Sequence, residues 1–270
     1  EIIVVDNASA DGSPEAVEQS FPQVKLIRNN ENYGFAKANN QGFKLARGKS
    51  ILMLNSDTVF IESGMRAMLN HFWSDSTIGI LAPRLLNVDA SIQNSCRKFF
   101  SFFRTNYEPP DRILSRLPDF AGRFLHIHNV HKMTEPSDID YAIGAALLIK
   151  RNVIDKIGGL DEDFFFYGEE TDFCLQAHNF GYRVVYYPHF RIIHIRGQST
   201  AEEQSYFGLY HGYKSKYYYL KKNHSYLTYR LFWLRKVFQI FLVMVYNLVR
   251  SDFERYRNNK KILGAHFKEF

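Results

Sequence analysis

Short apolar runs broken by polar, turn-forming stretches recur from Glu1 to about Thr200, and their lengths predict strands alternating with helices. Glu1-Ile2-Ile3-Val4-Val5 is a β-branched run that stops at Asp6, and Asn7-Ala8-Ser9-Ala10-Asp11-Gly12 after it is turn chemistry. Ser13 can cap a helix whose first residue is Pro14, where the missing N–H costs nothing. Val24 to Ile27 predicts a second strand, Asn29 to Gly34 a polar loop, and Phe35 to Arg47 a helix stopped by Gly48. Ser50-Ile51-Leu52-Met53-Leu54 organises the rest: it reads as a strand buried on both faces and ends abruptly at Asn55-Ser56-Asp57. Ligands in open α/β sheets gather beyond the carboxyl ends of such strands, which puts Asp57 at the mouth of a site; the triplet also reads as an ordinary turn.

Farther along, Ser63 to Trp73 predicts a helix with Met65, Met68, Leu69 and Phe72 on its core face, and Ile78 to Ala82 a strand. Cys96 to Asp138 is irregular and broken by prolines. Tyr141 to Ile149 returns to a buried strand, Arg151 to Ile157 to a helix ended by Gly158-Gly159, and a further helix runs to Asn179. Tyr182 to Tyr187 predicts a strand closed by Pro188. The alternation implies an α/β domain with a mostly parallel central sheet flanked by helices, over residues 1–200. Residues 201–270 form a helical C-terminal extension, with Tyr206, Tyr210, Tyr213 and Tyr217 at helical spacing.

Composition narrows the picture only in part. The 270 residues are 46% hydrophobic, enough for one large core or two modest ones. Cys96 and Cys174 lie far apart with no metal-ligand spacing, which fits a reducing cytoplasm. The chain opens inside a strand with no signal segment, so residues are expected to be missing upstream. A net charge of +6 suits nucleic acid, anionic lipid or an anionic substrate. Arg97, Lys98 and Arg104 among Phe99, Phe100, Phe102 and Phe103 can stack on bases, but no nucleic-acid-binding motif accompanies them. A mobile acceptor-side loop or a membrane-facing patch is the preferred reading of that stretch. Tyr226 to Arg250 is apolar but carries Arg230, Arg235, Lys236, Gln239, Asn247 and Arg250, and its clean run, Val237 to Val249, falls short of the roughly 20 residues a spanning helix needs. It is expected to lie on an anionic membrane with Phe238, Phe241, Leu242 and Val245 inward, or else to pack against protein.

Candidate chemistry gathers at three places. Asp6, at a strand's carboxyl end, can accept hydrogen bonds from a ribose or base edge, or simply cap its turn. Leu160 to Cys174 sets many carboxylates among aromatics, which raises carboxylate pKa values and suits a general base, although some of these acids also suit a helix's first turn. Neither a G-x-G-x-x-G nor a G-x-x-x-x-G-K-[ST] pattern is present, so nucleotide binding rests on other residues.

Ile3 to Ser13, Asn32 to Gly42, Leu54 to Asp57 and Gly158 to Cys174 together resemble the successive motifs of family 2 glycosyltransferases, nearest the bacterial rhamnosyltransferase-like branch. The family's first strand and helix have no counterpart here. The resemblance implies a GT-A fold and a nucleotide-diphosphate sugar donor. It places Asp6 and Asn7 at the nucleoside, and Gly34, Phe35, Ala36 and Asn39 around the donor. Asn55, Ser56 and Asp57 occupy the D-x-D position with Asn for the first Asp, leaving Asp57 to a divalent metal, Mn²⁺ or Mg²⁺. Glu169-Glu170 stands where the family has Glu-Asp, which makes Glu170 the catalytic base with Asp172 as second candidate, and Asp161 and Glu169 acceptor-side groups. His194 to Ser199 resembles the H-x-x-G-x-S element, giving His194 to the metal and Arg196 to the diphosphate. The implied enzyme inverts the sugar as it moves it to a hydroxyl of a glycolipid or cell-surface polysaccharide. It works in the cytoplasm, peripheral on the inner face of the membrane. The alternatives are a non-catalytic nucleotide-sugar-binding protein and a membrane-docked scaffold.

Overall fold

The computed structural model describes residues 1–100, 128–195 and 206–268. The strands are β1 Ile3–Asp6, β2 Lys25–Arg28, β3 Ser50–Leu54, β4 Thr58–Phe60, β5 Ile78–Leu86, β6 Cys96–Arg97, β7 Ser137–Asp138, β8 Tyr141–Ala142, β9 Ala146–Lys150 and β10 Arg183–His194. The helices are α1 Ser13–Ser20, α2 Phe35–Leu45, α3 Met65–Ser74, α4 Arg151–Ile157, α5 Glu169–Asn179, α6 Tyr206–Asn223, α7 Tyr226–Val249 and α8 Phe253–Lys268. Two compact units result. The first takes Glu1–Asp163 and the chain from Glu169 through β10; the second takes Phe164–Gly168 and the three C-terminal helices.

The first unit is α/β, with a sheet of mixed rather than mostly parallel pairing. Its strands lie in the order β3-β9-β5-β10-β4, with β7 also on β10. Only β5 and β10 pair in parallel; β9 runs antiparallel to both its neighbours, and β4 and β7 antiparallel to β10. β9 follows β8, which pairs only with β6 in a separate two-stranded sheet, with no helix between them. β1 and β2 form a separate parallel pair. Side chains alternate across the sheet with period two: Leu147 and Ile149 of β9 face a core with Phe43, Val153 and Phe173, while Leu148 faces another with Met68 and Phe72. Thus α2, α4 and α5 cover one face and α3 the other. Cys96 and Cys174 are free thiols buried in the first of these cores.

Pro188 does not close β10. The ladder with β5 shifts between Tyr187 and Arg191 and resumes with Arg191 opposite Arg84, so Pro188, His189 and Phe190 form a bulge in a twelve-residue strand. A bulge is where a sheet tolerates a residue with no N–H to give. Phe190 seats against Gly64, whose missing Cβ would lie 2.9 Å from its ring. Past the bulge, β10 carries His194 to the sheet's carboxyl edge.

In the second unit, Tyr217 and Phe232 are buried against each other with ring centroids 5.8 Å apart, and Ile240 and Met244 of α7 pack on Ile262 of α8.

Candidate active site

The site is built where β3 ends. Asn55 donates its N–H to the Ala145 carbonyl at 2.9 Å, and Thr58 Oγ1 donates to the Asn55 carbonyl at 2.7 Å, closing the Asn55-Ser56-Asp57 turn. β4 then leaves antiparallel to the end of β10 with Thr58 opposite His194, and Ile195 donates its N–H to the Asp57 carbonyl at 2.9 Å. This register brings Asp57 Oδ1 to 3.4 Å from His194 Nε2. The two residues expected at a metal therefore meet.

Gln93, fully buried, sets the imidazole. Its Nε2 donates to Asn87 Oδ1 at 2.9 Å and to the His194 carbonyl at 3.4 Å, so its Oε1 is the atom that faces His194 Nδ1 at 2.8 Å. Nδ1 then carries a proton, and Nε2 is the ring nitrogen on the Asp57 side. Such an outer-shell partner fixes the tautomer of a ligating histidine. A carboxylate with a neutral imidazole suits Mn²⁺ or Mg²⁺, with the remaining positions open to phosphate oxygens. Among the described residues no group of three or more His, Cys, Asp or Glu side chains gathers for a metal. Gln93 has no local signal in the sequence, because the imidazole it holds is 101 residues away. Arg196 lies outside the described residues.

The second corner joins the loop after β1 to the head of α2. Asp6 accepts the Ser9 N–H at 3.2 Å, so its carboxylate does cap its own turn, with Ala8 held at φ +64°. Asn7 Nδ2 donates to the Gly34 carbonyl at 3.1 Å and to Asn32 Oδ1 at 3.2 Å, and Asn7 Oδ1 accepts from Asn29 at 2.9 Å. Gly34 itself sits at φ +84°, a conformation that favours glycine. Ala36 is wholly buried and Phe35 packs against the same core, so these two offer a ligand the backbone at a helix N-terminus rather than their side chains. Asn39 donates back to the Phe35 carbonyl at 2.9 Å. Asn40, buried, ties α2 to the Gly159-Leu160 turn, giving to the Leu160 carbonyl at 2.8 Å and accepting the Leu160 N–H at 2.9 Å.

Acids make the third corner. Glu169 and Asp172 are buried at the start of α5, Glu170 is half-buried, and Asp161 accepts the Asp163 N–H at 3.0 Å in its own turn. Burial, reinforced by the Glu170 carboxylate beside it, holds the Glu169 carboxyl well above the usual range, and among the described residues its Oε2 has no hydrogen-bond partner. Tyr167 at φ +67° and Gly168 at φ +96° turn the chain into this helix, and a bulky residue held there marks stored backbone strain.

The segment Ala142 to Ala145 links the corners. The Ala145 carbonyl holds Asn55, a Cβ on Gly144 would meet the Phe35 ring at 3.5 Å and Met53 at 3.6 Å, and the buried Cys174 thiol of α5 lies against the Ala142 backbone. The end of β3, the head of α2 and α5 are thus all anchored on one strand-to-strand passage.

Comparison with known proteins identifies the family and the fold. The model of "Glycosyl transferase family 2" matches residues 1–158. The N-acetylglucosaminyl-diphospho-decaprenol L-rhamnosyltransferase of Mycobacterium tuberculosis is 26% identical over 240 residues, 83% of this chain and 75% of that protein. The low-salt glycan biosynthesis hexosyltransferase Agl10 of Haloferax volcanii is 28% identical over 66% of this chain and 53% of its own. Among solved structures, the mannosyltransferase PcManGT of Pyrobaculum calidifontis, in complex with GDP-Man and Mn²⁺, aligns with 100% of this chain and 78% of its own at TM-score 0.51 and 16% identity. GalNAc-T7 with UDP, GalNAc and Mn²⁺ aligns with 72% of this chain at TM-score 0.52 and 18% identity, this chain spanning 37% of that one. The fold is GT-A, and the chain belongs to glycosyl transferase family 2.

Proposed function

We propose that this glycosyltransferase moves a sugar from a nucleotide-diphosphate donor, with inversion, to a hydroxyl of a lipid-linked glycan. The observation that carries this is the Asp57–His194 pair, held by Gln93 at the carboxyl end of the central strand. Rhamnose is the leading donor sugar and a diphospho-lipid-linked sugar the leading acceptor, which the name of the mycobacterial relative supports. The solved neighbours that contain Mn²⁺ support a divalent metal held by Asp57 and His194. When bound, it would offset charge on the departing diphosphate. Asn7 and the head of α2 bind the nucleoside side of the donor, with Asp6 held by its own turn at the same place. Asn55 and Ser56 face its diphosphate, and Arg196 is assigned to it from its place in the H-x-x-G-x-S element.

Glu170 accepts the proton of the acceptor hydroxyl as its oxygen bonds to the anomeric carbon. The bond from that carbon to the diphosphate breaks in the same displacement. Glu169, kept protonated by burial, hydrogen-bonds Glu170 and leaves the pair's single negative charge on the base. Asp161 lies on the acceptor side, and Asp172 is the second candidate for the base. The enzyme works from the cytoplasm, on the inner face of the membrane.

The test is a transfer assay over a panel of nucleotide sugars with a polyprenyl-diphosphate-linked acceptor, with and without Mn²⁺. Metal-dependent transfer that Asp57→Asn abolishes is the expected result. Donor binding without turnover would replace this reading with a non-catalytic binding protein.

A further inference from the structure

The helix α7 is apolar on two opposite faces. One face is spoken for: Tyr229, Phe232, Ile240 and Met244 are buried within the C-terminal helices. The other is not. Leu227, Leu234, Phe238, Leu242, Val245 and Val249 recur at spacings of three, four and seven, so they form one stripe down the whole helix, and all are exposed, Phe238 by 62% and Val249 by 78%. Arg230 flanks the stripe near its start and Arg250 stands at its end, both exposed.

By length and composition α7 would suffice to cross a membrane. Its surroundings argue otherwise. α8 packs along it through Ile262 and presents Arg255, Arg257, Lys260 and Lys261 to solvent, so a crossing would carry those charges into hydrocarbon. What covers the stripe is instead indicated by charge. Residues 206–268 hold thirteen Lys and Arg against two acids, Asp252 and Glu254, although the whole chain nets only +6. A second copy seated on the same stripe would set like charge against like; an anionic bilayer would not.

We propose that α7 lies flat in the surface of an anionic bilayer, the Leu227-to-Val249 stripe at the acyl boundary and the basic side chains of the C-terminal helices among the headgroups. Opposed apolar and charged contributions of this kind are what hold an interfacial helix in the plane. The proposal does not depend on the sugar-transfer reading, since it uses no residue of the active site.

Flotation of the full chain tests it, with vesicles of phosphatidylcholine alone and of phosphatidylcholine mixed equally with phosphatidylglycerol. The parent should float with the mixed vesicles, release as salt is raised, and be extracted by alkaline carbonate. Phe238→Glu with Leu242→Glu, both at exposed positions and checked for unchanged far-ultraviolet circular dichroism, should cut binding at least tenfold. Each exposed Lys neutralised in Lys260→Gln with Lys261→Gln should cost about fivefold. The salt dependence of the parent needs no variant at all. Equal binding to neutral vesicles, undiminished binding of the Phe238/Leu242 variant, or resistance to carbonate would overturn the proposal. So would a self-association lost in that variant with no vesicle binding by the parent.

Discussion

Gln93 reacts with nothing, yet it decides which nitrogen of His194 faces Asp57. Gln93→Leu removes the acceptor of the Nδ1 proton and leaves a buried N–H unpaired, so the ring is free to flip. Mn²⁺ affinity, measured by titration in the presence of the nucleoside diphosphate, should fall about 10- to 100-fold; an unchanged affinity would mean that His194 is no ligand. The acid pair makes a second, opposite kind of claim at this scale. Glu170→Gln should lower transfer by about 10²- to 10⁴-fold with donor affinity little changed, because only the base is lost. Glu169 has a raised carboxyl pKa in the folded state, so its contribution to stability is present at low pH and is lost as pH rises from its unfolded value through its folded one. Glu169→Gln keeps the uncharged form at every pH. It should therefore flatten the fall in urea stability between acid and neutral pH, and a slope identical to the parent's would show that Glu169 is not buried neutral.

At the scale of elements, two adjacent glycines separate backbone strain from contact. Gly158 and Gly159 both have φ near +96°, at +97° and +95°, but a Cβ on Gly158 meets nothing within 4 Å while one on Gly159 would lie 2.5 Å from Asn40 Oδ1. Gly158→Ala should cost about 1 kcal/mol of urea-measured stability, the left-handed penalty alone. Gly159→Ala should cost about 1 to 3 kcal/mol more, because it also displaces Asn40 from the buried Leu160 amide. Equal costs would refute the tie between α2 and this turn. The contrast explains what was legible. The runs at Ile3, Ile51 and Ile78 and the helix with Met68 and Phe72 were readable, because their burial follows from local periodicity. β4, three residues long, and the Pro188 bulge were not, since both exist only through pairing with distant strands. The direction of β9 escaped for the same reason. Of the candidate site, Asp57 and His194, which the structure brings together, stand out in the sequence through their motifs; Gln93 and Asn40 do not, because their contacts span 101 and 120 residues.

On the scale of the whole molecule, the boundary that the sequence puts near Thr200 leaves out one short segment. Phe164–Gly168 belongs with the C-terminal helices, although the chain on either side of it belongs to the α/β unit. Within that second unit, the Phe164 ring meets Tyr218 at 4.8 Å, the Phe165 ring meets His211 at 5.0 Å, and Ser215 Oγ donates to the Phe166 carbonyl at 2.7 Å. Covalent continuity does the rest, since Tyr167 and Gly168, both left-handed, lead directly into Glu169 and Glu170. The acids share the α/β unit with Asp57, Gln93 and His194, but Glu169 and Glu170 alone follow this segment directly in the chain. Ser215→Ala together with Tyr218→Ala should therefore lower kcat for transfer while leaving Mn²⁺ affinity within about twofold, because positioning of a base is lost with a small displacement and metal binding is not. If Mn²⁺ affinity falls in step with kcat, the helices stabilise the whole α/β unit rather than its base; if neither changes, the Phe164–Gly168 anchor has no part in catalysis.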